Sequence, residues 1–103
     1  MAFIETSIFT KLIYTYLTDD EYLGLQGFML KYPDAGKIVP GSGGVRKLRW
    51  AMTGKGKRGG VRIIYYLKKQ DCEIWMLTIS GKSEVENIPA HVLRQIAEEV
   101  KNV

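Results

Sequence analysis

Residues 45–52, 61–68 and 73–79 are three strand-like segments separated only by turn-length connections, and that spacing restricts the fold more than any other feature of the chain. In the middle segment Val61, Ile63, Tyr65 and Leu67 alternate with Arg62, Ile64, Tyr66 and Lys68, the two-residue period of a strand. The linkers 53–60 and 69–72 are too short for the crossover that parallel neighbours require, so the three segments form an antiparallel meander. With 103 residues, 46% of them hydrophobic, the chain has material for one core, and residues 1–103 read as a single domain.

The preceding half reads as helical. Residues 2–5 form a short strand, and Ser7 is placed to cap a helix in which Ile8, Phe9, Leu12, Ile13, Tyr16 and Leu17 recur at three and four positions. That helix ends near Leu17. Thr18, followed by Asp19, Asp20 and Glu21, has the spacing of a capping box and opens a second helix with an apolar face of Tyr22, Leu25, Phe28, Met29 and Tyr32. It stops before Pro33, which disfavours helical geometry in Tyr32. Residues 35–44, with Gly36, Pro40, Gly41, Gly43 and Gly44, are loop chemistry. Pro89 suits a first helical position for a short terminal helix marked by Leu93, Ile96, Ala97 and Val100. The expected class is α+β, in the order β-α-α-β-β-β, with two N-terminal helices packed on a small, mostly antiparallel sheet and a short C-terminal helix.

Charge is distributed unevenly. Between Ala35 and Gln70 there is no acidic residue, while Lys37, Arg46, Lys47, Arg49, Lys55, Lys57, Arg58, Arg62, Lys68 and Lys69, ten of the 15 basic residues, fall there. Acids sit on the flanks, at Asp19, Asp20 and Glu21 and at Glu84, Glu86, Glu98 and Glu99. A basic middle of this kind suits a polyanionic partner.

Several chemistries are excluded. The lone Cys72 cannot form an internal disulfide and reads as a small residue at a strand start; His91 reads as a solvated residue of the terminal helix. One histidine, one cysteine and no convergent carboxylates leave no basis for a metal site or a Ser-His-Asp triad, and no cofactor is expected. Residues 54–59 match G-x-G-x-x-G, but a strand rather than a helix follows and no acid appears for a dozen residues, so the match is not a dinucleotide fingerprint. No apolar run approaches the roughly 20 residues that span a bilayer, and nothing at the amino terminus resembles a signal peptide, so a cytoplasmic location is expected.

Cations alone can promote cleavage of RNA, because RNA supplies its own 2′-hydroxyl nucleophile. The protein then needs to hold the attacking and leaving oxygens in line and to place positive charge around the phosphorane. Arg46, Lys47, Arg49, Lys55, Lys57, Arg58 and Arg62, on two strands and the loop joining them, are expected to cluster, and Gly54, Gly56, Gly59 and Gly60 let a phosphate approach closely. The same run reads equally well as a solvated hairpin tip.

The runs Val45-Arg46-Lys47-Leu48-Arg49-Trp50-Ala51, Gly54-Lys55-Gly56-Lys57-Arg58-Gly59-Gly60-Val61-Arg62-Ile63-Ile64-Tyr65-Tyr66 and Leu77-Thr78-Ile79 resemble the RelE/ParE superfamily of toxins, and in particular its HigB-like branch. The resemblance extends over roughly the whole chain and implies a RelE-like fold. It also implies a ribosome-dependent mRNA interferase of a type II toxin–antitoxin system, which cleaves mRNA in the ribosomal decoding site to a 2′,3′-cyclic phosphate and a 5′-hydroxyl. Carried over, Lys55 and Lys57 bind the scissile and neighbouring phosphates and Arg62 stabilises the phosphorane. Arg46, Lys47, Arg49 and Arg58 grip mRNA or ribosomal RNA, and Lys82 adds a further cation. The implied partners are a cognate antitoxin, the ribosome and mRNA, with the toxin itself monomeric.

One position departs from the pattern. Members of the branch usually carry a tyrosine after Leu-Thr-Ile, a candidate acid or base; here Leu77-Thr78-Ile79 is followed by Ser80. Losing a positioned acid or base lowers a rate on the order of 10²- to 10⁴-fold, so the resemblance with this departure implies a weakened or inactivated toxin. Two alternatives are a ParE-like DNA gyrase poison, a type that generally lacks the dense lysine loop, and a non-catalytic RNA- or ribosome-binding module.

Overall fold

The structure, a computed structural model, describes residues 1–51, 60–81 and 88–103. Its elements run β1 (Ala2–Glu5), α1 (Ser7–Tyr16), α2 (Asp19–Lys31), β2 (Lys37–Ile38), β3 (Val45–Trp50), β4 (Val61–Lys68), a 3₁₀ turn (Lys69–Asp71), β5 (Glu73–Gly81) and α3 (Ala90–Lys101). The five strands form one sheet in the order β1-β5-β4-β3-β2. β3, β4 and β5 are the expected antiparallel meander, and β1 lies parallel beside β5. The fold is the expected α+β arrangement, with the addition of β2.

Local signals account for most boundaries. At the start of α2, Thr18 Oγ1 accepts from the Glu21 N–H at 3.2 Å and Glu21 Oε1 accepts from the Thr18 N–H at 2.8 Å, the reciprocal box the sequence encodes. The cap of α1 is Thr6, one residue before the expected Ser7, because Thr6 is also tied to the sheet. Its Oγ1 accepts from the Phe9 N–H and donates to the Leu77 carbonyl at 2.8 Å, and its N–H donates to the Met76 carbonyl. Pro89 likewise is the N-cap of α3 and not its first turn residue. Cys72 precedes β5 as an exposed left-handed residue, φ 54°, closing the 3₁₀ turn.

Each face of the sheet packs against helix. Against one face the helical hairpin packs Phe9, Ile13, Leu17, Tyr22, Leu25 and Met29 onto Leu48, Val61, Ile63, Tyr65, Ile74, Met76 and Ile79. Ile8, expected on that apolar stripe, instead points to solvent, as does Tyr32. Against the other face α3 packs Leu93, Ala97 and Val100 onto Val45, Ile64, Tyr66 and Leu77. The alternation in β4 therefore separates two cores and not a core from solvent. A register shift between Ile64 and Tyr65, where the pairing of β4 passes from Thr78 to Met76, leaves Leu77 without a cross-strand partner and lets both Leu77 and Thr78 serve the α3 side.

α3 covers only part of its face. Its contacts reach the half of β3 and β4 near Val45 and Tyr66, leaving the half near Arg49 and Arg62 outside that apolar cluster. The second end is where cations gather.

Candidate functional site

The end of β3, the start of β4 and the end of β5 meet in one row: Arg49 lies directly opposite Arg62, and Arg62 directly opposite Ser80. Directly opposed residues share a face of the sheet, with Cβ atoms about 4.5–5.5 Å apart. Two guanidinium side chains and a hydroxyl thus project together from three adjacent strands. The next row on the same face, two residues along β3, carries Lys47 opposite Ile64, with Lys37 of β2 opposite Lys47 on its other side.

Backbone geometry holds the row at a tight junction. Gly60, entering β4, has φ +70°, and a Cβ there would lie 2.0 Å from the Trp50 carbonyl oxygen at the end of β3. Only glycine allows the strands to approach so closely at that point. Ala51, Gly60 and Gly81 all border the same end of the sheet as the Arg49–Arg62–Ser80 row. Lys55, Lys57, Arg58 and Lys82 lie outside the described residues.

Ser80 is buried, 3% exposed. Arg62 is half-buried and Arg49 exposed. The row thus grades from an exposed arginine at β3 to a buried serine at β5.

Arg46 does not join this group. Adjacent residues of a strand face opposite ways, and Arg46 shares the helical-hairpin face with Leu48 and Trp50. Its Nη1 donates to the carbonyls of Gly36 at 2.8 Å and Asp34 at 3.1 Å, which fastens the turn between α2 and β2. The opposed Tyr65 does the same: its hydroxyl donates to the Pro33 carbonyl at 2.8 Å and accepts from the Gly36 N–H at 2.9 Å. Burial pushes the Tyr65 hydroxyl above its ordinary pKa, with the Gly36 N–H and the Arg46 charge acting against that rise. Tyr65 is fully buried, on the face away from Arg62, and serves the scaffold.

Tyr66 does share the face of Arg62, but four residues along β4, about 13 Å away, where it packs in the α3 core beside Gly44. Neither strand tyrosine therefore stands in the row where Ser80 lies. Lys37 is a cation that composition counts in the basic stretch without assigning it to the site. Its signal is parity: with β2 recognised as a strand, the partner of Lys47 must share the face of Lys47.

Among the described residues no three His, Cys, Asp or Glu side chains gather to hold a metal ion, and no helix is long and apolar enough to cross a membrane. The grouped chemistry is cationic, suited to gripping a phosphodiester and to stabilising the added negative charge of a phosphorane. No family model matches the chain.

Proposed function

We propose that this protein is a RelE/HigB-type toxin of a type II toxin–antitoxin system, a metal-independent endoribonuclease that cleaves mRNA in the ribosomal A site, acts in the cytoplasm and is restrained by a cognate antitoxin. The observation that carries the reading is the Arg49–Arg62–Ser80 row, which sets two guanidinium side chains beside the position that the resemblance assigns to a tyrosine. In the proposed reaction the 2′-hydroxyl attacks the adjacent phosphorus, its proton passing to a base, and the P–O5′ bond breaks as the 5′ oxygen takes up a proton. Arg62 stabilises the equatorial charge that develops between those events, and Arg49 and Lys47 hold the strand. Lys55, Lys57, Arg58 and Lys82 complete the proposed site by resemblance. Ser80 is too short to reach a base or leaving group as a tyrosine would, so the chain cleaves slowly.

A binding role without cleavage is favoured by one specific observation, the burial of Ser80. Primer extension on a defined mRNA in a translating extract separates the two. We expect the Ser80→Tyr variant to cut within codons only when ribosomes are present, and this chain to cut on the order of 10²- to 10⁴-fold more slowly. Equal rates would remove the role of position 80. Absence of cleavage by both proteins, with ribosome binding retained, would replace the nuclease with a binding module.

A further inference from the structure

Beside the Arg49–Arg62 row, the short strand β2 and the end of β3 frame a groove of about 530 Å³. Its lining has two kinds of residue. Ile38, Val39, Pro40 and Leu48 supply an apolar surface, and Lys37, Lys47 and Arg49 supply three cations; among the described residues no acidic side chain lines it. A concavity of similar volume, about 520 Å³, at the turn between α1 and α2 is lined by residues from Tyr14 to Asp19 and carries no cation. The two concavities of similar size thus differ in charge.

The cations of the groove continue the site. Lys37 and Lys47 are cross-strand partners, and both occupy the face of the sheet that presents Arg49 and Arg62. Lys47 and Arg49 are two residues apart on β3, about 7 Å along the strand, an interval comparable to that between successive phosphates of an extended single strand. A nucleotide unit pairs an anionic phosphate with a flat, largely apolar base face, and the groove offers complementary surface to both.

An acidic peptide adding as a strand is less well served. The Val45 carbonyl accepts from the Val39 N–H, so alternation turns the backbone groups of Val45, Lys47 and Arg49 toward β2. Lys37 already lies opposite Lys47, which leaves the backbone of Arg49 alone before β3 ends at Trp50. One residue's worth of edge is a poor ladder for strand addition.

We propose that this groove is a nucleotide subsite: it takes the unit of single-stranded RNA that flanks the scissile linkage, its phosphate held by Lys37 and Lys47 and its base against Val39 and Pro40. The proposal rests on the RNA-cleaving reading above and adds Lys37 to it as an RNA-binding residue.

The test is fluorescence anisotropy with a labelled hexaribonucleotide in which every 2′-hydroxyl is methylated, so that it binds without being cut, measured across a salt series. Lys37→Ala is expected to weaken binding several-fold at low salt and to reduce the slope of log affinity against log salt by about 0.7, the share of one phosphate contact on a single strand. Lys37→Arg should restore both. Lys11→Ala, an exposed cation on α1, should change neither. Pro40→Asp, at an exposed position of the groove lining, should weaken binding by placing a carboxylate at the base face. A slope unchanged in Lys37→Ala while the wild type binds strongly would overturn the subsite and leave the nuclease reading intact. Failure of the wild type to bind the RNA at low salt would overturn the subsite, and the primer-extension assay with ribosomes would then decide the nuclease reading separately. Tight binding of an oligoglutamate peptide that RNA does not displace, lost in Lys37→Ala, would also overturn the subsite and identify the groove as a peptide site.

Discussion

Arg46 and Tyr65 stand directly opposite each other across β3 and β4 and fasten the same turn, both of them engaging Gly36: the guanidinium donates to its carbonyl and the phenol accepts from its N–H. The turn so held leads directly into Lys37 and β2, so the far side of the sheet sets where a cation on the near side stands. A phenolic oxygen that is fully buried and bonded to both Pro33 and Gly36 leaves two backbone groups without a partner when it is removed. Tyr65→Phe is therefore expected to cost about 1–3 kcal/mol, read as a fall in melting temperature of roughly 4–8 °C per kcal/mol for a domain of this size. An unchanged melting temperature would show that the turn is held by other contacts.

The two faces of β3 give a second prediction. Arg46 and Arg49 are both arginines of one strand, yet Arg46 is committed to carbonyls on the hairpin side and Arg49 is exposed in the row with Arg62 and Ser80. Arg46→Ala should lower stability and leave the salt dependence of RNA binding unchanged. Arg49→Ala should leave the melting temperature within about 0.5 kcal/mol equivalent and reduce the salt slope by about 0.7. The reverse pattern in paired thermal and binding measurements would exchange their roles.

That contrast also shows what a sequence of this kind makes legible. The meander, the helical hairpin and the Thr18 box are local signals, each complete within a few residues, and the structure has them where the pattern placed them. The cap of α1 shifted to Thr6 because its hydroxyl is claimed by the Leu77 carbonyl, 71 positions away, which no local rule can register. β2 is two residues long inside a glycine-rich stretch and exists through its pairing with Arg46 and Lys47. For the site, composition located the basic segment but could not divide it between faces. Strand parity, applied to Arg46, Leu48 and Trp50 against Lys47 and Arg49, separates them, and the cross-strand register then brings Ser80 beside Arg62.

Alkaline pH should unfold the protein partly through Tyr22. Its hydroxyl is buried and donates to Glu5 Oε2 at 2.6 Å, and burial first, then the bond to Glu5, raises its pKa well above the ordinary value. The unfolded chain loses this proton near pH ~10 while the folded protein retains it, so the unfolded state binds fewer protons and stability falls as pH rises. The contribution is fully present below that pH and declines above it at up to about 1.4 kcal/mol per pH unit. Tyr22→Phe should be less stable at neutral pH and show a slope shallower by one proton above pH ~10 in urea titrations. Parallel curves for the two proteins would mean that Tyr22 ionises equally in both states.

Gly60 provides the most direct test of the junction that places the row. A side chain there meets two obstacles at once: the left-handed backbone, φ +70°, which costs a non-glycine residue roughly 1–2 kcal/mol, and the Trp50 carbonyl, 2.0 Å from where the Cβ would sit. The obstacle is backbone, so no side-chain rotation relieves it; β3 and β4 must separate at the end where Arg49 faces Arg62. Gly60→Ala is accordingly expected to destabilise by about 3 kcal/mol or more and to weaken RNA binding in the fraction that remains folded. Gly27→Ala is the matching control, on α2 with open space around its Cβ position, and should stabilise by up to about 1 kcal/mol. If both glycine variants melt together and bind RNA alike, the close approach at Gly60 does not set the spacing of the arginine row.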